Sequence, residues 1–165
     1  MTLDGKEQTQ NFKVLADPRY ESTQADLESQ YDYLLAVRDK LTETHQSIKL
    51  IRTYRAEMDS LESKPSNLKQ VMTEMDEIEK TLYQTQNKSG QDPLNFPIRL
   101  NNKLAHLSSV VGNGDYRPTD QSIEVKTELV TKIDAELTRF RKLEREQISK
   151  ILNIEEMKTK LDKKK

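Results

Sequence analysis

The two histidines are the first residues to test for metal or acid–base chemistry, because imidazole is a common metal ligand and titrates near neutral pH. A di-iron helical bundle needs Glu-x-x-His pairs, in which a glutamate precedes each histidine by three residues. Thr42 and Lys103 hold those positions before His45 and His106. The His-Glu-x-x-His motif of zinc peptidases is also absent from the sequence. We therefore expect both histidines to be packing residues, with His45 half-buried beside an apolar seam.

Glycine-rich and carboxylate-bearing segments are the second possible source of chemistry. The run GNGD at residues 112–115 lacks the Lys-Ser/Thr pair of a phosphate-binding loop and fits the end of a helix instead. No Gly-x-Ser-x-Gly elbow of a serine hydrolase occurs. Asp92 and Asp115 could form a carboxylate pair, but both adjoin proline turns, where aspartate is common. The sequence predicts no catalytic residue, no metal site and no cofactor, so we expect this chain alone not to be an enzyme.

A polar, proline-containing corner is the remaining candidate for a site. Two segments, 89–99 and 115–120, are rich in polar residues and contain three prolines, which restrict the backbone. The corner is either a surface for a partner or a structural element that satisfies helix ends by hydrogen bonds. In the structural alternative, Arg99 would pair with Asp92 or Asp115. The candidate residues are Ser89, Gln91, Asp92, Asn95, Arg99, Asn102, Asp115, Tyr116, Arg117 and Asp120.

Composition and charge exclude several functional classes. The chain has 165 residues, of which 33% are hydrophobic and 33% charged, and this suits one domain of long amphipathic helices. Its 27 basic and 28 acidic residues give a net charge of −1, without the basic excess of a duplex-DNA-binding protein. We therefore expect no nucleic-acid partner. A terminal basic cluster, which we interpret as a solvated helix end, consists of Lys158, Lys160, Lys163, Lys164 and Lys165.

Two further absences limit the possible environment and chemistry. The chain contains no cysteine, which excludes disulfide bonds and thiolate chemistry. No apolar run approaches the roughly 18 residues that a membrane-spanning helix needs, so no membrane span is predicted.

Residues 1–20 follow a different pattern from the rest of the chain. A tight-turn signal centres on Gly5, polar and apolar residues alternate from Thr9 to Val14, and Asp17-Pro18 ends the pattern. We interpret this segment as a β-hairpin or as the end of an upstream β-domain. It either packs on the helices or continues a sheet that lies earlier in a longer protein, and we favour the second. A helical bundle domain is then predicted over residues 21–162.

The helical pattern begins at about residue 22 and continues to about residue 63. Thr23 is a plausible N-cap, with Asp26 three residues later. The apolar residues form a heptad seam of two offset series, at Leu27, Leu34, Leu41 and Ile48 and at Val37, Ile51 and Met58. A helix of this length, about 60 Å, needs neighbouring helices to bury its apolar stripe.

Three further helices are predicted at about residues 67–86, 97–110 and 119–160. The connection between the helix that ends at about residue 63 and the helix that begins at about residue 67 is short, so these two helices are predicted to be antiparallel neighbours. The apolar stripe of the last helix thins over residues 143–147, so its end is expected to project beyond the bundle or to contact something else. The predicted fold class is all-α, an up-down bundle of two long and two shorter helices preceded by a short β-hairpin remnant.

Two proline-containing motifs resemble a known family. The first is NKSGQDPLNFPIRLNNKL at residues 87–104, and the second is GDYRPTDQ at residues 114–121. Together they resemble the C-terminal helical region of large bacterial sortilin-like proteins, which carry bacterial-neuraminidase (Asp-box, BNR) repeats and are often labelled glycosyl hydrolases. The DPR sequence at residues 17–19 and the RDKLTE sequence at residues 38–43 are similar to that family as well.

The resemblance implies that this chain is a C-terminal module or a detached copy of one. In that family a hydrolytic site is expected in the repeat-bearing propellers, and no segment here resembles an Asp-box, so no hydrolase residue carries over. The family is typically exported, which implies the periplasm, the envelope or the medium. The implied partner is a protein, either the upstream domains or a separate one, and a glycan would be bound only through the longer protein.

Three functions stay open on the sequence alone. The first is a non-catalytic interaction or scaffold module that docks on its own propellers or on a partner protein. The second is an accessory part of a carbohydrate-active enzyme whose active site lies upstream. The third is a coiled-coil oligomerisation module driven by residues 141–161, where Glu144 and Gln147 interrupt the apolar stripe.

Overall fold

The computed structural model describes residues 2–3, 5–7 and 9–154. It confirms an all-α bundle of two long and two shorter helices. The first three helices begin and end within four residues of their predicted bounds. The helices of the described residues are α1 (Gln24–Asp59), α2 (Leu68–Leu82), α3 (Leu100–Val111) and α4 (Asp120–Glu146).

Side-chain caps start the two long helices where the sequence predicted them. Thr23 Oγ1 accepts a hydrogen bond from the Asp26 backbone N–H at 3.2 Å, and the Asp26 carboxylate accepts one from the Thr23 N–H at 3.0 Å. This reciprocal pair is a capping box. At the start of α4, Thr119 Oγ1 accepts from the Ser122 N–H at 3.2 Å. Both threonines satisfy N–H groups that have no partner within their helix.

α2 and α3 follow one another along α1, and both run antiparallel to it. In the C-terminal half of α1, Arg52 Nε lies 2.6 Å from the Glu79 carboxylate of α2. In its N-terminal half, Gln30 Nε2 donates to the Val111 carbonyl at the end of α3 at 2.7 Å. The contact point on α1 therefore moves back from residue 52 to residue 30 as the chain advances from residue 79 to residue 111.

α4 completes the bundle by running parallel to α1 along most of its length. Near one end, the Tyr33 hydroxyl donates to the Ser122 carbonyl at 2.9 Å. Near the other end, the Tyr54 hydroxyl donates to Glu144 Oε1 at 2.6 Å. A cross-section of the bundle thus contains α1, α4 and either α2 or α3. None of the helices in the described part of the chain is long and apolar enough to cross a lipid bilayer.

The heptad seam of α1 is buried only in part. Val37, Ile48, Ile51 and Met58 are core residues, as predicted, whereas the predicted seam residues Leu27, Leu34 and Leu41 are only partly buried. A straight helix drifts by about 20° per heptad relative to a perfect seven-residue repeat, so the buried face rotates along a helix of ten turns. The side chains that fill the core beside the seam are Tyr33, Thr44 and Tyr54.

The predicted strand over residues 9–14 does not form. Among the described residues the only strands that pair are β1 (Thr2–Leu3) and β2 (Lys6–Glu7), which form a hairpin with Gly5 at φ +76° in its turn. Residues 9–16 have no regular secondary structure. Alternation alone cannot make a strand, because a strand needs a neighbour that pairs with its backbone and covers its apolar face. A turn forms at Asp17-Pro18, where the alternating pattern ends, and the Asp17 carbonyl accepts from the Tyr20 N–H at 3.1 Å.

The last helix is shorter than predicted and does not project from the bundle within the described residues. α4 ends at Glu146, and a 3-10 turn, Ile148–Lys150, follows. Ile148 lies in this turn and is fully buried in the core. Leu161 and the predicted terminal lysine cluster lie outside the described residues.

Candidate functional site

The two segments of the predicted corner do not form one site. Residues 89–99 precede α3, whereas residues 115–120 follow it. A helix of 12 residues is about 18 Å long, so α3 separates the two segments by that length. The signal was present in the sequence, because the helix predicted at about residues 97–110 lies between the two segments and its length keeps them apart.

Asp92 organises the first segment as a turn. Its carboxylate accepts hydrogen bonds from the backbone N–H groups of Lys88 and Ser89 and from Ser89 Oγ, the last two at 2.8 and 2.9 Å. The backbone bonds from Lys88 and Ser89 hold the pKa of Asp92 below its usual value. Arg99 is not its partner, because Arg99 Nε is buried without any hydrogen bond. The predicted pairing of Arg99 with Asp92 or Asp115 is therefore wrong for this nitrogen atom.

The second segment is tied to the N-terminal part of α1. Gln30 Nε2 donates to the Gly114 carbonyl at 2.6 Å, and the Ser22 hydroxyl donates to the Asp115 carbonyl. Gly114 has φ +152°, and a Cβ there would lie 2.4 Å from the Tyr116 ring, so the turn requires glycine. These bonds satisfy backbone carbonyls at the end of α3 and support the structural interpretation of this segment.

The other predicted site residues lie on the surface. Gln91, Asn95 and Asn102 are exposed, and Tyr116 is 41% exposed. The Arg117 and Asp120 side chains are 65% and 87% exposed and lie 3.6 Å apart as an ion pair. Exposed pairs of this kind contribute little to stability.

Glu79 is a buried charged residue that the sequence analysis missed. Its side chain is 1% exposed and lies between Arg52 Nε at 2.6 Å and Arg55 Nη2 at 2.9 Å. A signal was present, because Glu79 is four residues after Met75 and three before Leu82, both core positions of α2. The two arginines of α1 neutralise this carboxylate and fix the register of α1 against α2.

A groove beside the N-terminus of α3 combines buried and exposed charged groups from α3 and α4. Its volume is about 370 Å³. Arg99 Nε and Glu136 Oε2 are both buried there and make no hydrogen bond, while Lys103 and Lys132 are exposed residues of the lining. The remaining lining residues are Thr81, Ile98, Leu100 and Ala135. We refer to these eight residues as the α3 groove.

A second groove, of about 630 Å³, lies along α1 beside Tyr83. His45 lines it and is exposed, whereas the sequence predicted it to be half-buried. The Tyr83 ring lies edge-on to His45 at 6.4 Å and is also covered by the Arg52 guanidinium at 5.0 Å. His45 Nε2 lies 3.3 Å from the Asn101 amide nitrogen. These contacts hold the imidazole at the edge of the bundle, outside the seam.

The described residues contain no group of three His, Cys, Asp or Glu side chains that could hold a metal ion. Their charged groups form ion pairs between helices, and both grooves are open to solvent. Such an arrangement can bind a surface of another molecule through hydrogen bonds and charge.

Comparison with family models, with curated proteins and with solved structures finds no match to this chain. The resemblance to the sortilin-like, BNR-repeat proteins therefore stays a prediction.

Proposed function

We propose that this chain is a non-catalytic helical module that binds another protein. The observation that carries the proposal is the apolar segment that precedes the bundle. Phe12, Val14 and Leu15 are 86%, 82% and 73% exposed. Large apolar side chains that cluster in an exposed segment are typical of protein-interaction sites.

The described part of the last predicted helix favours this function over oligomerisation by a coiled coil. Ile148 is fully buried, and Ile151, Leu152 and Ile154 pack against the core of the same chain. Of these, Ile151 and Ile154 belong to the apolar stripe on which the coiled-coil alternative depends. Their burial leaves fewer of them for a partner helix.

The partner that we propose is the upstream part of a longer exported BNR-repeat protein, or a separate protein. This choice depends on the resemblance of the two proline-containing motifs. An immunoblot of source-cell fractions with serum raised against this chain tests it. A band well above 19.2 kDa in an envelope or secreted fraction is expected, and a band of that size would contradict the longer protein.

Site-specific photo-cross-linking in source cells tests the binding function. A benzophenone amino acid replaces Phe12 in one variant and Tyr31 in a matched control, since Tyr31 is also exposed (62%) but lies on α1. We expect a discrete protein adduct from position 12 and not from position 31. Loss of the adduct in Val14→Ser/Leu15→Ser, with an unchanged Tm, would support the proposal. No adduct at position 12, or the same adducts at both positions, would contradict it.

A further inference from the structure

We infer that the α3 groove binds an acidic peptide segment of the partner protein. This inference rests on the proposed function and names the chemistry of the partner. It also has its own basis, because the groove lies on the bundle and involves none of the exposed apolar residues 12–15.

Two unsatisfied buried groups point to a missing hydrogen-bond partner in the groove. Arg99 Nε is a donor and Glu136 Oε2 is an acceptor, and both are buried without a hydrogen bond. Arg139 Nη1 forms an ion pair with Glu136 Oε2 at 3.8 Å, which is beyond hydrogen-bond distance. Buried polar groups in folded proteins nearly always have partners, so a rotation of these two side chains toward the groove would let a ligand supply the missing acceptor and donor. A peptide unit supplies both, through its carbonyl and its N–H.

The charge of the groove favours an acidic ligand. Arg99, Lys103 and Lys132 are basic and Glu136 is the one acidic residue of the lining. Lys132 pairs with Glu128 on α4, and the Glu128 carboxylate also interacts with Lys103, so Arg99 carries most of the uncompensated charge. The first turn of α3 contains no acidic residue and no side-chain cap, so its N–H groups add positive potential. A carboxylate next to the bound peptide unit would complement these groups.

Other properties of the groove disfavour a polyanion such as nucleic acid. A nucleic-acid backbone would leave the apolar side chains of the lining without contacts. Ile98, Leu100 and Ala135 add apolar contact area. A peptide that alternates acidic and aliphatic residues matches both the charge and this apolar area.

The test is a titration of the full ¹⁵N-labelled chain, followed by NMR at physiological ionic strength. The probe is the capped hexapeptide Glu-Leu-Asp-Glu-Leu-Asp, and the neutral control peptide has Gln and Asn in place of Glu and Asp. We expect chemical-shift changes at the Arg99 Nε–H and at backbone amides of residues 99–103 and 132–136. The neutral peptide should bind at least tenfold more weakly.

Matched variants separate the groove from general charge effects. Arg99→Gln/Lys103→Gln should weaken binding of the acidic peptide at least tenfold, and Lys103→Gln alone should weaken it in the same direction if the double variant unfolds. The control Arg38→Gln/Lys142→Gln removes the same charge from exposed positions and should change the affinity less than twofold. Equal weakening in both double variants, or shifts outside the groove, would overturn the inference. A single-stranded oligonucleotide or inorganic phosphate that shifts Arg99 Nε–H as strongly as the peptide would also overturn it.

The two proposals can fail separately. A protein adduct from position 12 without peptide binding in the groove would keep the proposed function and remove the acidic-peptide inference. Peptide binding that depends on Arg99, without any adduct from position 12, would keep the groove and remove the apolar segment as the binding surface.

Discussion

At the scale of single residues, Glu79 shows how a bundle with a thin apolar core tolerates a buried charge. Its carboxylate is buried, but Arg52 and Arg55 hold it and keep part of their own surface in water, with 49% and 28% of their side chains exposed. The arginine stems can pack on the helix surface while their charged ends remain hydrated. The cost of burying the carboxylate is therefore offset without burying the arginine charges completely.

We predict that Glu79→Gln lowers the free energy of unfolding by about 1–3 kcal/mol, because glutamine keeps the volume but loses the charge-assisted hydrogen bond to Arg52 and the ion pair with Arg55. Urea unfolding followed by circular dichroism measures the change. Glu77→Gln is the matched control, since Glu77 is 58% exposed and pairs with Arg139 across the surface. Its effect should stay within about 0.5 kcal/mol. If both variants lost the same free energy of unfolding, the buried ion pairs of Glu79 would contribute no more to stability than the exposed ion pair of Glu77.

At the scale of elements, caps and breaks decide where the helices begin and end. α1 begins at a capping box, and α4 ends at a break after Glu146. The start of α1 is determined locally, by hydrogen bonds between two residues three positions apart. The end of α4 lies where the chain returns to the core, because Ile148 directly after the break is fully buried.

Removing the cap of α1 should destabilise the whole bundle, since α1 contacts each of the other three helices. We predict that Thr23→Ala lowers the free energy of unfolding by about 1 kcal/mol. Thr42→Ala is the control, because Thr42 lies on the exposed face of α1 and its hydroxyl donates only to the Arg38 carbonyl four residues earlier. It should be neutral or slightly stabilising, since alanine has the higher helix propensity. Thermal or urea unfolding distinguishes the two.

The break after α4 leads to a second prediction at this scale. Ile148→Ala should cost about 2–5 kcal/mol, because Ile148 is fully buried and alanine would leave a cavity. Ile123→Ala at the exposed start of α4 is the matched control, since Ile123 is 41% exposed, and it should cost far less. If both variants lost the same stability, the inward turn of residues 148–150 would be contradicted.

At the scale of the whole molecule, ion pairs between helices link stability to pH. Glu43 of α1 accepts from Lys40 at 2.6 Å and from Arg141 of α4. The hydrogen bond from Lys40, together with the charges of Lys40 and Arg141, lowers the pKa of Glu43 below its ordinary value of 4.5. A carboxyl group with a lowered folded-state pKa stabilises the protein fully above its unfolded-state pKa, and this contribution is lost as the pH falls through the folded-state value.

We therefore predict that the free energy of unfolding falls as the pH drops below about 4.5, the unfolded-state pKa of Glu43. Glu43→Gln should be less stable than the wild type at neutral pH and should lose less stability on acidification. Urea midpoints measured at successive pH values from neutral to acidic test this. If the urea midpoints of the two proteins fell in parallel with pH, Glu43 would not contribute to the loss of stability in acid.

The placement of the two polar segments gives a prediction for the whole molecule. Because α3 lies between them, spin labels at positions 95 and 117 should be on the order of 20 Å apart by pulsed electron resonance. Since the chain has no cysteine, the labels attach only at the introduced Asn95→Cys and Arg117→Cys sites. A distance short enough for the two labels to touch would contradict the separation and would mean that both segments form one corner.

The sequence determined the features that depend on neighbours along the chain. The helix caps at Thr23 and Thr119, the turn at Asp17 and the stop after Val111 follow from side chains within a few residues of the backbone groups that they satisfy. The core stripe of α2 was likewise readable, because helical spacing brings Leu68, Val71 and Met75 to one face. Helix capping and the spacing of apolar residues are local properties of the chain, so they can be predicted without knowing the fold.

The tertiary structure decided everything that depends on which elements become neighbours. Packing of α2 on α1 placed Glu79 between Arg52 and Arg55, and packing after the end of α4 buried Ile148. The same packing left Arg99 Nε and Glu136 Oε2 buried in one groove without hydrogen bonds. These contacts join residues far apart in sequence, and their free energy exists only once the helices have packed. No local pattern in the chain could have specified them.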